Sequence, residues 1–377
     1  MKNLVTIFFV LSFGLNALAQ QTRDDINIPD ILGYKTLKCD FHSHTVFSDG
    51  NVWPDLRVRE AFRDGLDAIA ITDHIEYRPH KDDLTKNHNR SVEIAKTKEN
   101  QYDVIVIKGS EITRKMPPGH LNALFIKDSN PIDTADFMTA IKIAKEQGAF
   151  IQWNHPFWLK PVFPTKDGKP TWFPIHQELF DKHLLDGIEI VNEREYYPDV
   201  YKWCIENNIT ITGNSDIHDP VSYFFEQDKG DHRPVTLVFS KEKSEEGIKE
   251  ALFAHRTAVF HHDSLFGKEE YLREIFNNSV KLIKDKAIAN KGADLYFQVK
   301  NNSDVPMTFI LEKDDDDFKF PARLLLPAQK TIVFSVRPKS KDIAGQKELK
   351  LNYFVKNFLT GPEKCLKVEF NVTTDLK

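Results

Sequence analysis

Seven short apolar runs recur between residues 36 and 218, and polar residues and then a helical segment tend to follow each one. The runs are Leu37–Phe41, Ala68–Thr72, Val104–Lys108, Leu121–Ile126, Phe150–Trp153, Ile188–Val191 and Ile209–Thr212. Continuous apolar runs of this length are typical of parallel strands that are buried on both faces. The alternation predicts an α/β fold, either a parallel β/α barrel or a doubly wound sheet, with its functional site beyond the carboxyl ends of the strands.

Helix signals lie between several of these runs. Pro54 is suited to a first helical turn, and Gly65 is suited to the end of the same helix. Phe137, Ile141 and Ala144 share one apolar stripe of a second helix. These segments are therefore predicted to be helices that connect the strands.

The composition changes after about Phe266. Residues 268–288 are charged and are predicted to form a helical linker. Strand-like segments separated by turn residues follow over 289–377, which predicts a small all-β, immunoglobulin-like sandwich. We therefore expect an α/β domain over 20–267, the linker, and the sandwich over 289–377.

The first 19 residues have the features of a secretory signal peptide. Lys2 supplies a positive charge, Leu4–Phe13 supply an apolar region, and Ala17-Leu18-Ala19 form a cleavage site of small residues. The apolar region is too short to span a membrane comfortably. The mature chain is therefore expected to be exported, either to the periplasm or outside the cell, and to carry no membrane span.

The overall charge restricts the classes of partner. The formal net charge of −5 argues against nucleic-acid binding driven by total charge, which usually needs a basic surface. A phosphate-bearing substrate remains compatible with this charge, because bound cations can invert the local field. The three cysteines form no cysteine-rich zinc motif.

Histidines and carboxylates stand at the ends of the apolar runs. They are His42, His44, Asp49, His74, Glu111, His120, His155, Asp216 and His218. Residues two apart in a strand point to the same side, so His42 and His44 can aim at one point, as can Asp216 and His218. One such histidine is usually a core or surface residue. Burying so many titratable groups together is costly unless they bind metal, so the set predicts a metal site.

These motifs, in this order, resemble the polymerase and histidinol phosphatase (PHP) superfamily. The resemblance rests on His42-x-His44-Thr45 with Ser48-Asp49-Gly50, Thr72-Asp73-His74, Gly109-Ser110-Glu111, His120, Asn154-His155-Pro156 and Ser215-Asp216-x-His218. It covers roughly Thr36 to Gly267, including a closing strand and helix between Pro234 and Val259. Each motif alone is weak, but the combination is highly specific.

The resemblance implies a distorted seven-stranded β/α barrel with two or three divalent metal ions at its carboxyl-terminal mouth. One metal would be held by His42, His44, Glu111 and Asp216. A second metal would share Glu111 and be held by His120 and His155. A third would be held by Asp49, His74 and His218.

The resemblance implies hydrolysis of a phosphoester, and the donor set is compatible with a metal-dependent hydrolase. Nitrogen and oxygen donors without thiolate suit Zn, Mn or Fe. A metal-bound hydroxide is expected to attack the phosphorus of a phosphate monoester or diester, in a small molecule or a polymer, so that no protein nucleophile is required.

Three further residues are candidates for supporting roles. Asp73 is predicted to orient a ligand histidine, with proton transfer as the alternative. Arg114 and Arg194 follow strands and are candidates for contacting the substrate phosphate, although solvated loop cations are the alternative. The aromatic pairs Phe157-Trp158 and Trp172-Phe173 either line a pocket for an organic leaving group or pack under a loop.

Two alternatives to a phosphoesterase remain open from the sequence. The same cluster could polarise the carbonyl of a non-phosphate ester or amide, which would give a different metal hydrolase. The chain could also be a non-catalytic, metal-containing binding protein whose sandwich recognises a glycan or a partner. The oligomeric state and the substrate cannot be predicted from the sequence.

Overall fold

The computed structural model describes residues 21–158, 168–226 and 229–377. The predicted signal peptide lies outside these residues. The strands of the larger domain are β1 (Lys35–Asp40), β2 (Ala68–Ile71), β3 (Ile105–Ile112), β4 (Leu121–Leu124), β5 (Phe150–Trp153), β6 (Gly187–Asn192), β7 (Glu195–Tyr196), β8 (Thr210–Asn214), β9 (Val235–Ser240), β10 (Thr257–His261) and β11 (Ser264–Gly267). Each of the seven apolar runs therefore forms a strand.

Helices connect most of these strands. They are α1 (Pro54–Arg63), α2 (Arg90–Lys96), α3 (Glu99–Tyr102), α4 (Phe137–Glu146), α5 (Pro174–Asp181), α6 (Pro198–Asn207), α7 (Val221–Phe224), α8 (Glu245–Phe253) and α9 (Glu269–Ser279), with a 3₁₀ turn over Asn130–Ile132. The side chain of Asp136 caps α4 by accepting the Thr139 N–H at 2.8 Å. Ile141 and Ala144 on its apolar stripe are fully buried against the sheet. No helix in the described ranges is long and apolar enough to cross a membrane.

Strand β4 runs against its neighbours, which corrects the prediction that all seven strands are parallel. β1, β2 and β3 are parallel, as are β5, β6 and β8, but β4 is antiparallel to both β3 and β5. The connection from β3 to β4 runs only from Thr113 to His120. A parallel crossover needs a dozen residues or more, so the chain must turn back. The start of β4 consequently lies at the same edge as the ends of its neighbours.

The seven strands close into a distorted barrel through β1 and β8. Ser43 and Ile217, just beyond these strands, form a parallel bridge, and the His44 N–H donates to the Ile217 carbonyl at 3.0 Å. The Phe41 N–H donates to Asn214 Oδ1 at 2.9 Å. On the side away from β2, the upstream part of β1 pairs with the antiparallel strand β9, which continues into β10 and β11. The strand order confirms the predicted barrel and shows where it is distorted.

The remaining strands form an immunoglobulin-like sandwich. They are β12 (Val280–Lys284), β13 (Lys286–Ala289), β14 (Leu295–Asn301), β15 (Met307–Leu311), β16 (Phe318–Lys319), β17 (Arg323–Leu326), β18 (Thr331–Pro338), β19 (Gly345–Gly361) and β20 (Lys364–Leu376). One sheet has the order β12-β14-β18-β16, and the other contains β13, β20, β19, β15 and β17. Phe297, Phe309 and Tyr353 are fully buried in its core.

The predicted helical linker over 268–288 is only partly helical. Helix α9 ends at Ser279, and the residues after it form β12 and β13. Val280 and Leu282 pair with Asn301 and Val299 of β14, so contacts that are distant in sequence determine the local structure. The first strand of the sandwich therefore begins upstream of the predicted domain boundary.

The sandwich and the barrel share a sheet. β11 pairs in parallel with β19 through Leu265 with Phe358 and Phe266 with Leu359. The Tyr201 hydroxyl on α6 donates to the Leu359 carbonyl at 2.8 Å. Main-chain pairing therefore continues from one domain into the other.

Candidate metal centre

Six histidines and three carboxylates converge at the carboxyl-terminal mouth of the barrel. They are His42, His44, Asp49, His74, Glu111, His120, His155, Asp216 and His218, and their ligand atoms form four overlapping groups whose members lie within 4.8 Å of one another. His42, His44 and Glu111 are fully buried. The structure thus brings together every residue that the sequence proposed as a metal ligand. His120 joins them because β4 is reversed and begins at the mouth.

Two of these residues follow strands with a left-handed backbone conformation. The φ angle of Asp216 is 50° and that of His155 is 29°. Such angles are uncommon for residues other than glycine and cost free energy, so the surrounding structure must hold them. The His155 N–H donates to the buried carboxylate of Glu189 at 2.7 Å, which fixes this turn.

His42, His44 and Asp216 aim three donor atoms at one point. Nε2 of His42 and Nε2 of His44 each lie 3.0 Å from Oδ1 of Asp216. The two ring nitrogens are 3.1 Å apart. Nitrogen and oxygen donors that face one another in this way match the ligand set of a divalent cation.

Glu111 stands between two groups of histidines. Its Oε1 lies 3.0 Å from His120 Nδ1 and 3.5 Å from His155 Nε2. Its Oε2 lies 2.9 Å from His74 Nδ1, 3.3 Å from His44 Nε2 and 3.4 Å from His42 Nε2.

Despite these neighbours, Oε2 of Glu111 is buried and finds no hydrogen-bond partner among the described residues. A buried carboxylate oxygen without a hydrogen bond is costly unless a cation neutralises it. The position of Glu111 fits a ligand shared between two ions.

A third group forms around Asp49. Its Oδ1 lies 3.2 Å from His218 Nε2, 3.5 Å from His74 Nε2 and 3.8 Å from His44 Nδ1. This oxygen is also buried without a hydrogen bond in the part of the chain that the structure describes. His44 therefore lies between this group and the group that contains Asp216.

The charges of the cluster shift the pKa values of its members. Burial lowers the pKa of His42, but the carboxylates of Asp216, Glu189 and Glu111 outweigh burial and raise it well above its usual value. Burial and the neighbouring His218 and His74 lower the pKa of His44 to about 4.

The pKa values of His74 and His218, the two histidines nearest to Asp49, are raised, whereas the pKa of His44 is lowered. Burial lowers the pKa of His74, but Glu111 and Asp49 outweigh it and raise that pKa to about 10. The pKa of His218 rises to about 8, because Asp49 and Asp216 outweigh its burial. Protons therefore occupy ring nitrogens that a metal ion would need.

Among the described residues, the hydrogen-bond partners of the Asp73 carboxylate are Thr45 and Ser48 rather than a ligand histidine, so the predicted orienting role stays a prediction. Its carboxylate accepts the Thr45 N–H at 2.7 Å, the Thr45 hydroxyl at 2.8 Å and the Ser48 hydroxyl at 2.8 Å. Ser48 Oγ in turn lies 3.4 Å from His44 Nδ1. Asp73 thus holds the loop after β1 and reaches the histidine only through that loop.

The two predicted phosphate-binding arginines are engaged elsewhere in this structure. The Arg114 guanidinium pairs with Glu76 and donates to the Thr134 carbonyl at 2.8 Å. Arg194 pairs with Asp231 and lies 5.0 Å from the ring of Phe225. A role for either in binding phosphate stays a prediction, and each would first have to release its acidic partner.

The aromatic residues near the mouth divide into two groups. Trp172 packs against Trp153 and Trp203, with ring centroids 6.0 Å and 5.5 Å away, and belongs to the hydrophobic core. Trp158 is 43% exposed, and its ring lies 5.6 Å from that of His120. Of these two tryptophans, Trp158 is the one that lies beside the candidate ligands.

Two buried charged residues that sequence reasoning missed support the cluster. Glu189, in the middle of β6, lies 2.9 Å from Nδ1 of His42. Arg57 on α1 is fully buried and donates to the carbonyls of His44 and His218 at 2.8 Å and 2.6 Å. A glutamate within an apolar strand was the one available signal, because such a charge needs polar partners.

Comparisons with known proteins agree with the fold. A family model described as an Ig-like domain matches residues 280–371. A crystal structure from Bacteroides vulgatus, described as a two-domain protein containing a predicted PHP-like metal-dependent phosphoesterase, is 40% identical. It matches with a TM-score of 0.87 over 94% of this chain and 100% of that chain.

Two other similarities are weaker or shorter. A histidinol phosphate phosphatase from Lactococcus lactis is 15% identical, with a TM-score of 0.31, over 48% of this chain and 86% of that chain. A Methanocaldococcus jannaschii protein is 43% identical over 84 residues, and the match spans 22% of this chain and 36% of that protein.

The similarity to the Bacteroides vulgatus protein extends over both domains and nearly the whole chain. It agrees with the barrel, the sandwich and the cluster of histidines and carboxylates. The chain therefore belongs to the family of two-domain, PHP-like metal-dependent phosphoesterases, which are hydrolases.

Proposed function

We propose that this chain is an exported enzyme that hydrolyses phosphate monoesters or diesters at two or three divalent metal ions. The observation that supports this most directly is Oε2 of Glu111. Three histidine nitrogens lie within 3.4 Å of it, yet it accepts no hydrogen bond among the described residues. A cation between these atoms would satisfy the carboxylate and the imidazoles at once.

The geometry supports a division of the ligands among three positions. His42, His44 and Asp216 would hold one ion, with Glu111 completing its shell. Glu111 would also contact a second ion. That second ion would be held by His120 and His155.

The third position would be formed by Asp49, His74 and His218. His44 lies close enough to this group to be shared with it. Donors of nitrogen and oxygen suit Zn, Mn or Fe, which we propose as the bound ions.

When bound, such ions lower the pKa of water and neutralise charge on the phosphate oxygens. Two serine hydroxyl groups near the cluster are already engaged in hydrogen bonds. The Ser43 hydroxyl donates to the Ala70 carbonyl at 2.7 Å, and the Ser48 hydroxyl donates to Asp73. This arrangement favours water over a serine nucleophile, while the histidines and carboxylates position the reacting groups.

The first experiment measures initial rates on 4-nitrophenyl phosphate and bis(4-nitrophenyl) phosphate. The mature protein would be stripped with chelator and then supplied with Zn, Mn or Fe. We expect metal-dependent turnover, and the faster substrate would define the preference between monoester and diester. Turnover of 4-nitrophenyl acetate alone would instead indicate a hydrolase directed at carbonyl esters.

The matched variants for this experiment are His42→Ala and His80→Ala. His42 lies in the cluster, whereas His80 is exposed. We expect His42→Ala to abolish turnover in a protein that remains folded, and His80→Ala to leave turnover unchanged. Wild-type turnover in folded His42→Ala would refute the proposed site.

Export is proposed from the sequence of the first 19 residues alone. The test is expression of the full chain with fractionation of the cells and sequencing of the mature amino terminus. We expect the mature protein outside the cytoplasm, beginning at Gln20. An uncleaved chain retained in the cytoplasm would contradict this part of the proposal.

A further inference from the structure

A cavity of about 300 Å³ opens beside the proposed metal centre. His120 and His155 form one wall of it, so a molecule inside would touch two of the proposed ligands. Trp158 and Met116 also line it, and Lys115 lies exposed at the rim. The cavity is therefore continuous with the place where a phosphoester would bind.

Trp158 presents an indole ring at this cavity. The ring is 43% exposed and lies 5.3 Å from the ring of His155, tilted by 52°. The main-chain N–H of Trp158 donates to the His155 carbonyl at 3.0 Å, which ties the backbone of this residue to the turn after β5. Large apolar side chains are usually buried, and an exposed indole beside a catalytic cluster offers an aromatic surface for a ligand.

The loop between β3 and β4 forms the other side of the cavity. Gly119 has a φ angle of 86°, and a Cβ atom there would come within 2.6 Å of the Met116 side chain. Glycine therefore allows the Met116 thioether to lie along the loop. His176 holds the loop from behind, because its Nε2 donates to the Pro118 carbonyl at 2.7 Å.

In the described lining of the cavity, the lysine and arginine side chains are those of Lys115 and Arg114. The Arg114 guanidinium, although it lines the cavity, is paired with Glu76. Lys115 at the rim adds one cation. The described part of the lining thus offers an indole, a thioether and one unpaired cation at the rim. This combination suits an apolar or aromatic group better than a second phosphate.

We propose that this cavity receives the alcohol portion of the phosphoester and selects substrates in which that portion is a flat aromatic group. Stacking on Trp158 would hold the ring while the phosphate lies at the metal centre. This inference rests on the proposed function, and it names the substrate class of the same site.

The test measures binding of two non-hydrolysable phosphonates to the metal-loaded mature protein by calorimetry. Phenylphosphonate and methylphosphonate carry the same charged group and differ in the group that would enter the cavity. We expect phenylphosphonate to bind at least about tenfold more tightly, since burying an aromatic ring against the indole removes apolar surface from water. Equal affinities in the wild-type protein would overturn the inference.

Two variants of Trp158 and one control variant test whether Trp158 causes the preference for phenylphosphonate. We expect Trp158→Ala to reduce the ratio of the two affinities to near one, and Trp158→Phe to restore most of it. Tyr296→Ala is the matched control, because Tyr296 is a 53% exposed aromatic residue on β14 of the sandwich. A wild-type ratio in Trp158→Ala would overturn the role of Trp158.

The same measurement separates this inference from the proposed function. Binding of both phosphonates with equal affinity would leave the metal centre intact and refute only the aromatic selectivity. Binding of neither phosphonate to metal-loaded protein would refute the phosphate site, and the inference would fall with it.

Discussion

Nδ1 of His42 lies 2.9 Å from Oε1 of Glu189, while Nε2 of the same ring faces Asp216 in the cluster of candidate metal ligands. Glu189 is fully buried in β6. Its further donors are the His155 N–H and the side-chain amides of Gln152, Asn192 and Asn214. One carboxylate therefore fixes the ring of one proposed ligand and the backbone of another.

The first prediction concerns Glu189→Gln. The amide keeps the size of the side chain but places an NH₂ group among donors, so hydrogen bonds to His42 or His155 are lost. Loss of such a supporting contact typically weakens metal binding ~10–100-fold, and we expect a decrease of that size in a competition titration against a chelator. Glu178→Gln, on the surface of α5, is the control. Unchanged affinity in Glu189→Gln would contradict the positioning role.

The second prediction concerns Arg57, whose buried guanidinium donates to main-chain carbonyls in the loops that carry the candidate ligands His44 and His218. It donates to those of His44, Ile217, His218 and Asp219. Lysine keeps the charge but cannot reach all of these acceptors. We expect Arg57→Lys to lower the free energy of unfolding by about 2–4 kcal/mol, because buried acceptors are left unpaired.

Urea unfolding of the two variants of α1 checks this value. Arg59→Lys is the matched control, since Arg59 is exposed on the same helix. We expect little change in that control. A change of less than about 0.5 kcal/mol in Arg57→Lys, which is the range of ordinary surface substitutions, would show that the carbonyls find other partners.

The third prediction is that metal binding releases protons. The pKa of His74 is raised to about 10 and that of His218 to about 8, so both rings are protonated in the metal-free protein near pH 7. A metal ion needs the neutral ring, so the apparent affinity should rise with pH. Above about pH 8 the proton of His218 is already lost, and fewer protons should be released.

Calorimetric titration in buffers with different ionisation enthalpies measures this release. We expect more protons per bound metal at about pH 7 than at about pH 9, and His74 should contribute to the release that remains at the higher pH. Equal affinity at both pH values, with no release at either, would contradict the charge states described for the metal-free cluster.

The fourth prediction concerns His176, which stacks on Trp153 with ring centroids 3.6 Å apart. Burial lowers its pKa to about 4. Its Nε2 donates to the Pro118 carbonyl and its Nδ1 accepts the Phe173 N–H, so the neutral ring satisfies both partners. The pKa of His176 is lower in the folded than in the unfolded state. Its contribution to the free energy of unfolding is therefore fully present above about pH 6.5 and is lost as the pH falls towards 4.

At pH 5, the titration of His176 is expected to lower the free energy of unfolding by about 2 kcal/mol. Urea unfolding of wild type and His176→Phe at about pH 7 and pH 5 isolates it, because the variant lacks the titrating ring. The difference in the free energy of unfolding between wild type and His176→Phe should be smaller at the lower pH. His80→Phe, on an exposed residue, is the control. A pH-independent difference between wild type and His176→Phe would refute the prediction.

Much of the fold followed from local patterns in the sequence. The apolar runs defined the strands because a buried strand needs apolar residues on both faces. The convergence of the ligands followed from placing polar residues at strand ends. The predicted direction of β4 was wrong, although the segment from Thr113 to His120 is too short for a parallel crossover and so indicated an antiparallel strand.

Other features could not be obtained from local patterns. The pairing of Arg114 with Glu76 depends on which loops meet in three dimensions. The strand at Val280 forms because β14 lies beside it. Asp73 appeared suited to orient a histidine, but its nearest donors proved to be Thr45 and Ser48. Each outcome was decided by neighbours far away along the chain.

The pairing of β11 with β19 restricts movement of the sandwich relative to the barrel. Hydrogen bonds between Leu265–Phe266 and Phe358–Leu359 join them through the backbone rather than through a flexible tether. The ion pair of Lys364 with Glu269 adds a second link nearby. Because the two domains share main-chain hydrogen bonds within one sheet, a hinge between them would have to break this pairing of β11 with β19.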